Sequence, residues 1–479
     1  MSSIIGRTLN WFLMPLYVGI FAPDVYGIVT NLYSFVAFFM VFLTYGMETG
    51  FFRFASNNSN PEKVYSTSLL SLGFTSFIFI AIVVFAKNNL AELINYSDHP
   101  EYILWLAIIL AIDAISAIPF AQLRIKNRPI KFAFLKFVNI GANISFNLFF
   151  LLLCPKLAEN PDSIVHLIYS ADIGVGYVFI SNLLASIVTL IMLIPDIFKI
   201  TFRFDKALLY KMLSYSFPIL IVGLAGVANQ HIDKILIPFL LPEEQNPMEQ
   251  VGIYGAAVKI AVLMNMFIQA FRYAFEPFFF SQAKEKNDKN MHANIMKYFV
   301  IFGLLIFLGM VFYIDVLRLL NWDAKYYEGF SIVPVVLLAN LFFGIYFALS
   351  MWYKLTDMTR YGAYIAVGGS ILTITFNFLL IPIFGYKGSA YTILICFFGM
   401  MVVSYFLGQK YYPIPYKLKR IFTYFIIAGI LFVISLFTST LTPAVKYASH
   451  TFLIFTFLTS VYYFEKNEIN SLFKINKKK

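Results

Sequence analysis

Apolar runs of helix-spanning length recur along almost the whole chain, separated by short polar turns. A helix rises ~1.5 Å per residue, so about 20 apolar residues cross the ~30 Å hydrocarbon layer of a bilayer. With that ruler the pattern predicts fourteen spans, near residues 5–21, 26–50, 67–86, 102–121, 132–154, 171–195, 214–241, 251–280, 296–314, 330–353, 361–384, 388–409, 421–438 and 445–464. The connecting loops leave no room for a soluble catalytic domain, so the expected fold class is an all-α integral membrane protein with about 14 transmembrane helices.

Composition agrees: 60% of residues are hydrophobic, 13% are charged and the mean hydropathy is +0.76. Water-soluble domains run near 45–50% apolar and about 25% charged. The opening MSSIIGRTLNWFLMPLYVGIF has no small-residue cleavage site, so the first segment is expected to stay as a span. Cys154 and Cys396 lie in apolar runs and are expected to act as small hydrophobes.

The net charge of +11 raises the question of nucleic acid. With the N-terminus in the cytoplasm, 26 of the 36 Lys and Arg fall on the inner side and only six outside, namely Lys87, Lys156, Arg318, Lys325, Lys387 and Lys446. That is the positive-inside pattern, so the basic balance reports topology, with both termini cytoplasmic and no nucleic-acid partner. The tail NKKK is expected to sit against anionic lipid.

An internal repeat organises the spans. DVYGIVTNLYSFVAFFMVFLTYGMETGFFRF, from Asp24, aligns without a gap with GIYGAAVKIAVLMNMFIQAFRYAFEPFFFSQ, from Gly252, at an offset of 228. Tyr26 and Gly27 meet Tyr254 and Gly255, Tyr45 meets Tyr273, and Glu48 meets Glu276. ISFNLFF, from Ile144, matches ITFNFLL, from Ile374, at an offset of 230. The expected organisation is two parallel six-helix bundles, 1–198 and 199–412, followed by a helix pair and basic tail, 413–479. Parallel repeats of this kind are typical of transporters, with the substrate path between the halves.

Ionisable side chains inside a bilayer cost at least about 2.5–3.5 kcal/mol on insertion scales and so mark partners or a wet cavity. Lys136, Lys234, Lys259 and Arg272 fall within spans, against Asp113, Asp233, Glu48 and Glu276. Lys234 and Lys259 are expected at one depth, roughly 12 Å below the outer surface, with His231 on the face of Lys234 and Asp233 about 100° round the helix. One reading is structural, with Asp233 pairing Lys259 and Arg272 pairing Glu276. In the functional reading Lys234 and Lys259 recruit an anionic head group, Arg7 and Arg53 receive it at the inner side, and His231 titrates near neutral pH.

SFPILIVGLAGVANQHIDKILIPFL, VGIYGAAVKIAVLMNMF, FEPFFF and SSIIGRTLNWFLMPLY with DVYG resemble the polysaccharide biosynthesis (Wzx-type) flippases of the multidrug/oligosaccharidyl-lipid/polysaccharide exporter (MOP) superfamily. The resemblance covers the first twelve spans. It implies alternating-access transfer of an undecaprenyl-pyrophosphate-linked oligosaccharide to the periplasmic leaflet of a bacterial inner membrane, for O-antigen, capsule or exopolysaccharide assembly. By the same resemblance Asp233 and Lys234 occupy the family's polar site in the seventh span, and Tyr254 and Gly255 its entrance motif in the eighth. It implies no cofactor beyond a coupling ion, Na+ or H+, and a lipid-linked oligosaccharide, membrane lipid and polymerase machinery as partners. A lipid II flippase fits the same chemistry. A multidrug antiporter fits less well, because deep cations are as numerous as carboxylates. An enzyme is not expected, since the acidic loop PEEQNPMEQ is short and no phosphate-binding Gly-rich loop is present.

Overall fold

The computed structural model describes residues 13–57, 60–199, 203–285, 289–320, 323–438 and 441–476, with only the backbone of 57, 276–285, 318–320, 467 and 469–476. Every regular element among them is helical. Eleven described helices are long and apolar enough to cross a membrane, and a bent pair makes a twelfth. The segment Leu13–Ile20 and the long helix Pro443–Asn476 fall at the remaining two expected positions. The chain divides into two compact units, Met1–Gly252 and Ile253–Lys479.

The first unit holds α1 (Leu13–Ile20), α2 (Pro23–Thr44), α3 (Met47–Asn57), α4 (Pro61–Leu93), α5 (Pro100–Ile125), α6 (Pro129–Leu148), α7 (Gly176–Ile197) and α8 (Lys206–Leu240). It also takes the residues of α9 (Pro247–Ile260) up to Gly252. Five of these helices open on proline, at Pro23, Pro61, Pro100, Pro129 and Pro247, where the missing N–H has no intrahelical partner to lose. Asp205 caps α8 by accepting from the Leu208 N–H at 2.9 Å. The helices outrun the predicted spans because such caps stand in the polar sequence beyond the apolar stretch. α4 shows the lipid-facing pattern: Phe74, Phe77, Ile78, Ile82 and Phe85, three and four apart on one face, are all exposed.

α4 packs along α5, α6 along α7, α5 along α7 and α8 along α2. Two glycines set the tightest approach. A Cβ on Gly27 would lie 2.0 Å from the Met248 carbonyl oxygen, and one on Gly252 would lie 1.8 Å from that of Pro23, so α2 and α9 cross backbone to backbone. Between α2 and α3 the chain breaks at Tyr45 and Gly46, both at positive φ, and Gly46 sits against the Ser216 carbonyl of α8.

The second unit holds α10 (Val262–Glu285), α11 (Lys289–Phe312), α12 (Val333–Leu349), α13 (Arg360–Phe384), α14 (Tyr386–Tyr411), α15 (Leu418–Thr438) and α16 (Pro443–Asn476). α14 packs along α12 and α13, and α11 along α12, α15 and α16. The expected single span 251–280 is instead broken at Ala261, where α9 and α10 meet at 43°. Neither proline nor glycine lies between Ala256 and Met266, so composition carries no sign of the bend. Both cysteines are buried and unbridged.

Candidate functional site

The first unit carries a seam of polar side chains through an otherwise apolar bundle. Asn139, Asn143 and Asn147 repeat every four residues along one face of α6. Asn139 donates to Thr189 Oγ1 at 2.9 Å and to the Ala185 carbonyl at 3.2 Å, both on α7. Asn147 donates to the Asn143 carbonyl and side chain and accepts from the Tyr17 hydroxyl of α1 at 2.8 Å. One helical turn away, Asn182 of α7 donates to the Tyr33 hydroxyl of α2 at 3.0 Å. Ser186, also on α7, donates to Asp113 Oδ1 of α5 at 3.0 Å.

Most of these groups are half-buried, not sealed. In lipid every polar group needs a partner within the protein or in water, so the seam marks an internal polar surface. It has one carboxylate and many amide and hydroxyl groups, a set that can hydrogen-bond neutral hydroxyl-rich ligands or hold a cation or proton.

Asp233 and Lys234 do not stand on separate sides of α8. Lys234 Nζ reaches Asp233 Oδ1 at 2.9 Å and the Gln230 carbonyl at 3.0 Å, and the Lys234 N–H donates to the same carboxylate oxygen at 2.8 Å. The flexible four-carbon stem folds back over one residue, which a helical wheel does not represent. Lys234, expected as a cation open to a head group, is thus buried with its counter-ion beside it. Its carbonyl accepts from Asn31 Nδ2 of α2 at 2.7 Å, and the Tyr96 hydroxyl donates to Asn31 Oδ1 at 3.0 Å. His231 is half-buried on the same helix.

Of the remaining expected residues, Arg53 stacks on the Tyr215 ring, 4.2 Å from its centroid. Lys259 is exposed on α9. Arg272 lies 5.1 Å from the centroid of Phe347 in a narrow pocket lined by Ile268, Phe271 and Gly344. Arg7 lies outside the described residues, as does the side chain of Glu276. Lys136 sits over the Phe120 ring at 4.1 Å.

Glu48, expected within a span, pairs with Arg124. Several engaged charges were not singled out from sequence: Lys131 pairs with buried Asp196 at 2.5 Å and Lys63 with Asp205 at 2.6 Å. Lys297, counted from sequence as an inner-loop cation, is fully buried on α11 between Glu465 and Glu468 of α16. Lys417 also binds Glu468, and the Tyr424 hydroxyl donates to Glu465 Oε1 at 2.6 Å. Burial alone would raise the Glu468 carboxyl, but hydrogen bonds from Lys297 and Lys417 outweigh it and hold its pKa at about 2. The only sequence sign was Glu465 and Glu468 three apart on one face.

The fold is that of the MOP superfamily transporters. A lipid II flippase MurJ in an inward closed conformation matches 98% of this chain and 98% of its own at 16% identity, with a TM-score of 0.74. An inward-facing multidrug resistance MATE family transporter of the MOP superfamily matches 84% of this chain and 94% of its own at 13% identity, with a TM-score of 0.64. A MOP superfamily transporter from Pyrococcus furiosus, described by the reverse polarity of its binding pocket, matches 85% of this chain and 93% of its own at 13% identity, with a TM-score of 0.54. No curated protein sequence matches. These features define a multi-pass helical membrane protein of MOP transporter fold. The profile of the polysaccharide biosynthesis proteins matches residues 1–283, more than half of the chain, and the chain belongs to that family.

Proposed function

We propose that the protein is a flippase that carries an undecaprenyl-pyrophosphate-linked oligosaccharide from the cytoplasmic to the periplasmic leaflet of a bacterial inner membrane, both termini being cytoplasmic. The observation that carries this reading is the seam from Tyr17 through Asn147 and Asn139 to Asp113, in a family of polysaccharide biosynthesis proteins. Amides and hydroxyls recognise sugar hydroxyls by exchanging hydrogen bonds with them, and their half-burial lets a polar group pass without losing all its partners. No bond is made or broken; the prenyl tail stays in lipid while alternating access carries the sugar.

The pyrophosphate needs cations. Arg53 and Arg7 are the proposed receiving pair, and Lys234, Lys259 and Arg272 the deeper ones, with Asp233, His231 and Glu276 tuning them. At Lys234 a phosphate has to exchange with Asp233, which makes that contact reversible. The test is glycan analysis after deletion in the native host, followed by complementation. Loss of one surface polysaccharide, with its lipid-linked repeat units held on the cytoplasmic leaflet, supports the reading, and Lys234→Ala and Lys259→Ala are expected to restore export poorly at normal membrane levels. Wild-type export from both variants would remove them from the site.

The near full-length likeness to a lipid II flippase favours a second reading, in which the same pyrophosphate carries a peptidoglycan unit. Deletion is then lethal instead of stripping one polymer.

A further inference from the structure

In the second unit, α13 and α14 leave a cleft of about 490 Å³ between them, within the ~300–1,000 Å³ range of small-molecule sites. Its lining is almost wholly apolar, with Ile365 and Met400 buried and Tyr364, Ile371 and Val403 exposed along it. Missing side chains keep it open. A Cβ on Gly368 would meet no atom within 4 Å, and one on Gly399 only Leu372 Cδ1 at 4.0 Å.

One end of the cleft is polar and cationic. The Tyr361 and Tyr411 hydroxyls are 2.8 Å apart there. Arg360 lies 5.7 Å from the Tyr361 ring and Lys410 5.5 Å from the Tyr411 ring. Both cations are exposed, and among the described residues neither forms an ion pair. From Tyr361 to Leu372 the cleft descends roughly 16 Å at ~1.5 Å per residue. That is about half of a ~30 Å hydrocarbon layer, the depth of one leaflet.

We propose that this cleft binds one anionic glycerophospholipid, its phosphate between Arg360 and Lys410 and one acyl chain over Gly368 and Gly399. Depth selects the occupant. A chain that ends near the midplane fits, whereas a long prenyl tail would leave the cleft at Leu372 with most of its length uncovered. The cationic end selects the head group: basic residues at the surface attract an anionic lipid, and a zwitterionic one much less. The site belongs to the second unit and the polar seam to the first, and the proposal is independent of what the protein transports.

The test is native mass spectrometry of the full-length protein in detergent, titrated separately with phosphatidylglycerol, phosphatidylethanolamine of the same acyl chains, and undecaprenyl phosphate. Phosphatidylglycerol is expected to be retained at least tenfold better than phosphatidylethanolamine. Arg360→Ala with Lys410→Ala should abolish that preference, and Gly368→Leu should reduce retention of both glycerophospholipids by filling the cleft. Gly73→Leu, on the open face of α4, should change nothing. Equal retention of the two glycerophospholipids, or no effect of the paired substitution, overturns the head-group site. Displacement of phosphatidylglycerol by equimolar undecaprenyl phosphate overturns the choice of lipid, and dimers that Gly368→Leu dissolves would show a second copy in the cleft. If Gly368→Leu does not fold, the exposed Arg360 and Lys410 substitutions still decide the question.

Discussion

Asp233 and Lys234 are consecutive in the chain and are each other's counter-ions inside α8, with 2.9 Å between Lys234 Nζ and Asp233 Oδ1. Removing one member of a buried pair takes the adjacent counter-ion from the other, at a cost of up to about 3–5 kcal/mol, whereas replacing both with apolar groups is often neutral. Asp233→Leu alone should therefore lower the thermal midpoint of the detergent-solubilised protein strongly, and adding Lys234→Met should restore most of it. A double variant no more stable than the single one would show that the pair does not carry the effect.

The crossing of α2 and α9 permits no side chain at Gly27 or Gly252. Alanine at either position forces the backbones apart, and overpacking of this kind costs about 1–3 kcal/mol or more. Gly73→Ala, whose Cβ meets nothing within 4 Å, should instead gain roughly 0.5–1 kcal/mol from helix propensity. Fluorescence-detected size-exclusion chromatography after graded heating separates the two outcomes.

The clamp on Lys297 is pH-dependent. Glu468 is held at about 2, below the ordinary carboxyl value of 4.5, so its contribution is fully present above pH ~4.5 and is lost as pH falls towards 2. The protection factors of the α16 amides, exchange corrected for its intrinsic rate at each pH, should therefore fall over that interval and stay flat above it. Glu468→Gln should raise exchange at neutral pH and flatten the dependence; an unchanged profile would assign the acid sensitivity to other groups.

Within the seam, Ser186→Ala removes a donor from Asp113 and should cost about 1–3 kcal/mol of stability. Asp113→Asn keeps a side-chain acceptor and removes the charge, so it should leave the melting temperature nearly unchanged while lowering export. Full export by Asp113→Asn, assayed by complementation of a deletion strain, would show that the charge is not used.

How much was legible in the sequence depends on what each feature needs. The spans followed from hydropathy alone, because the bilayer imposes one length on every helix. The break at Ala261 did not, since no proline or glycine marks it. The Asp233–Lys234 contact was missed because a helical wheel places Cβ atoms and ignores the reach of a lysine. Asn139, Asn143 and Asn147 were visible at four-residue spacing, but attention to formal charge passed over amides. Lys297 looked like a loop cation because its partners lie 168 and 171 residues further on.

That separation ties folding to the order of synthesis. Lys297 enters the membrane region long before the ribosome has made Glu465 and Glu468, and until then its ammonium has neither carboxylate to rest against. A chain cut short before Glu465 is thus expected to hold the Lys297 ammonium of α11 without these carboxylates and to be degraded faster, while one extended past Glu468 is not. Pulse-chase of C-terminal truncations ending on either side of these two residues should show a step in lifetime there, and a smooth decline would argue against it.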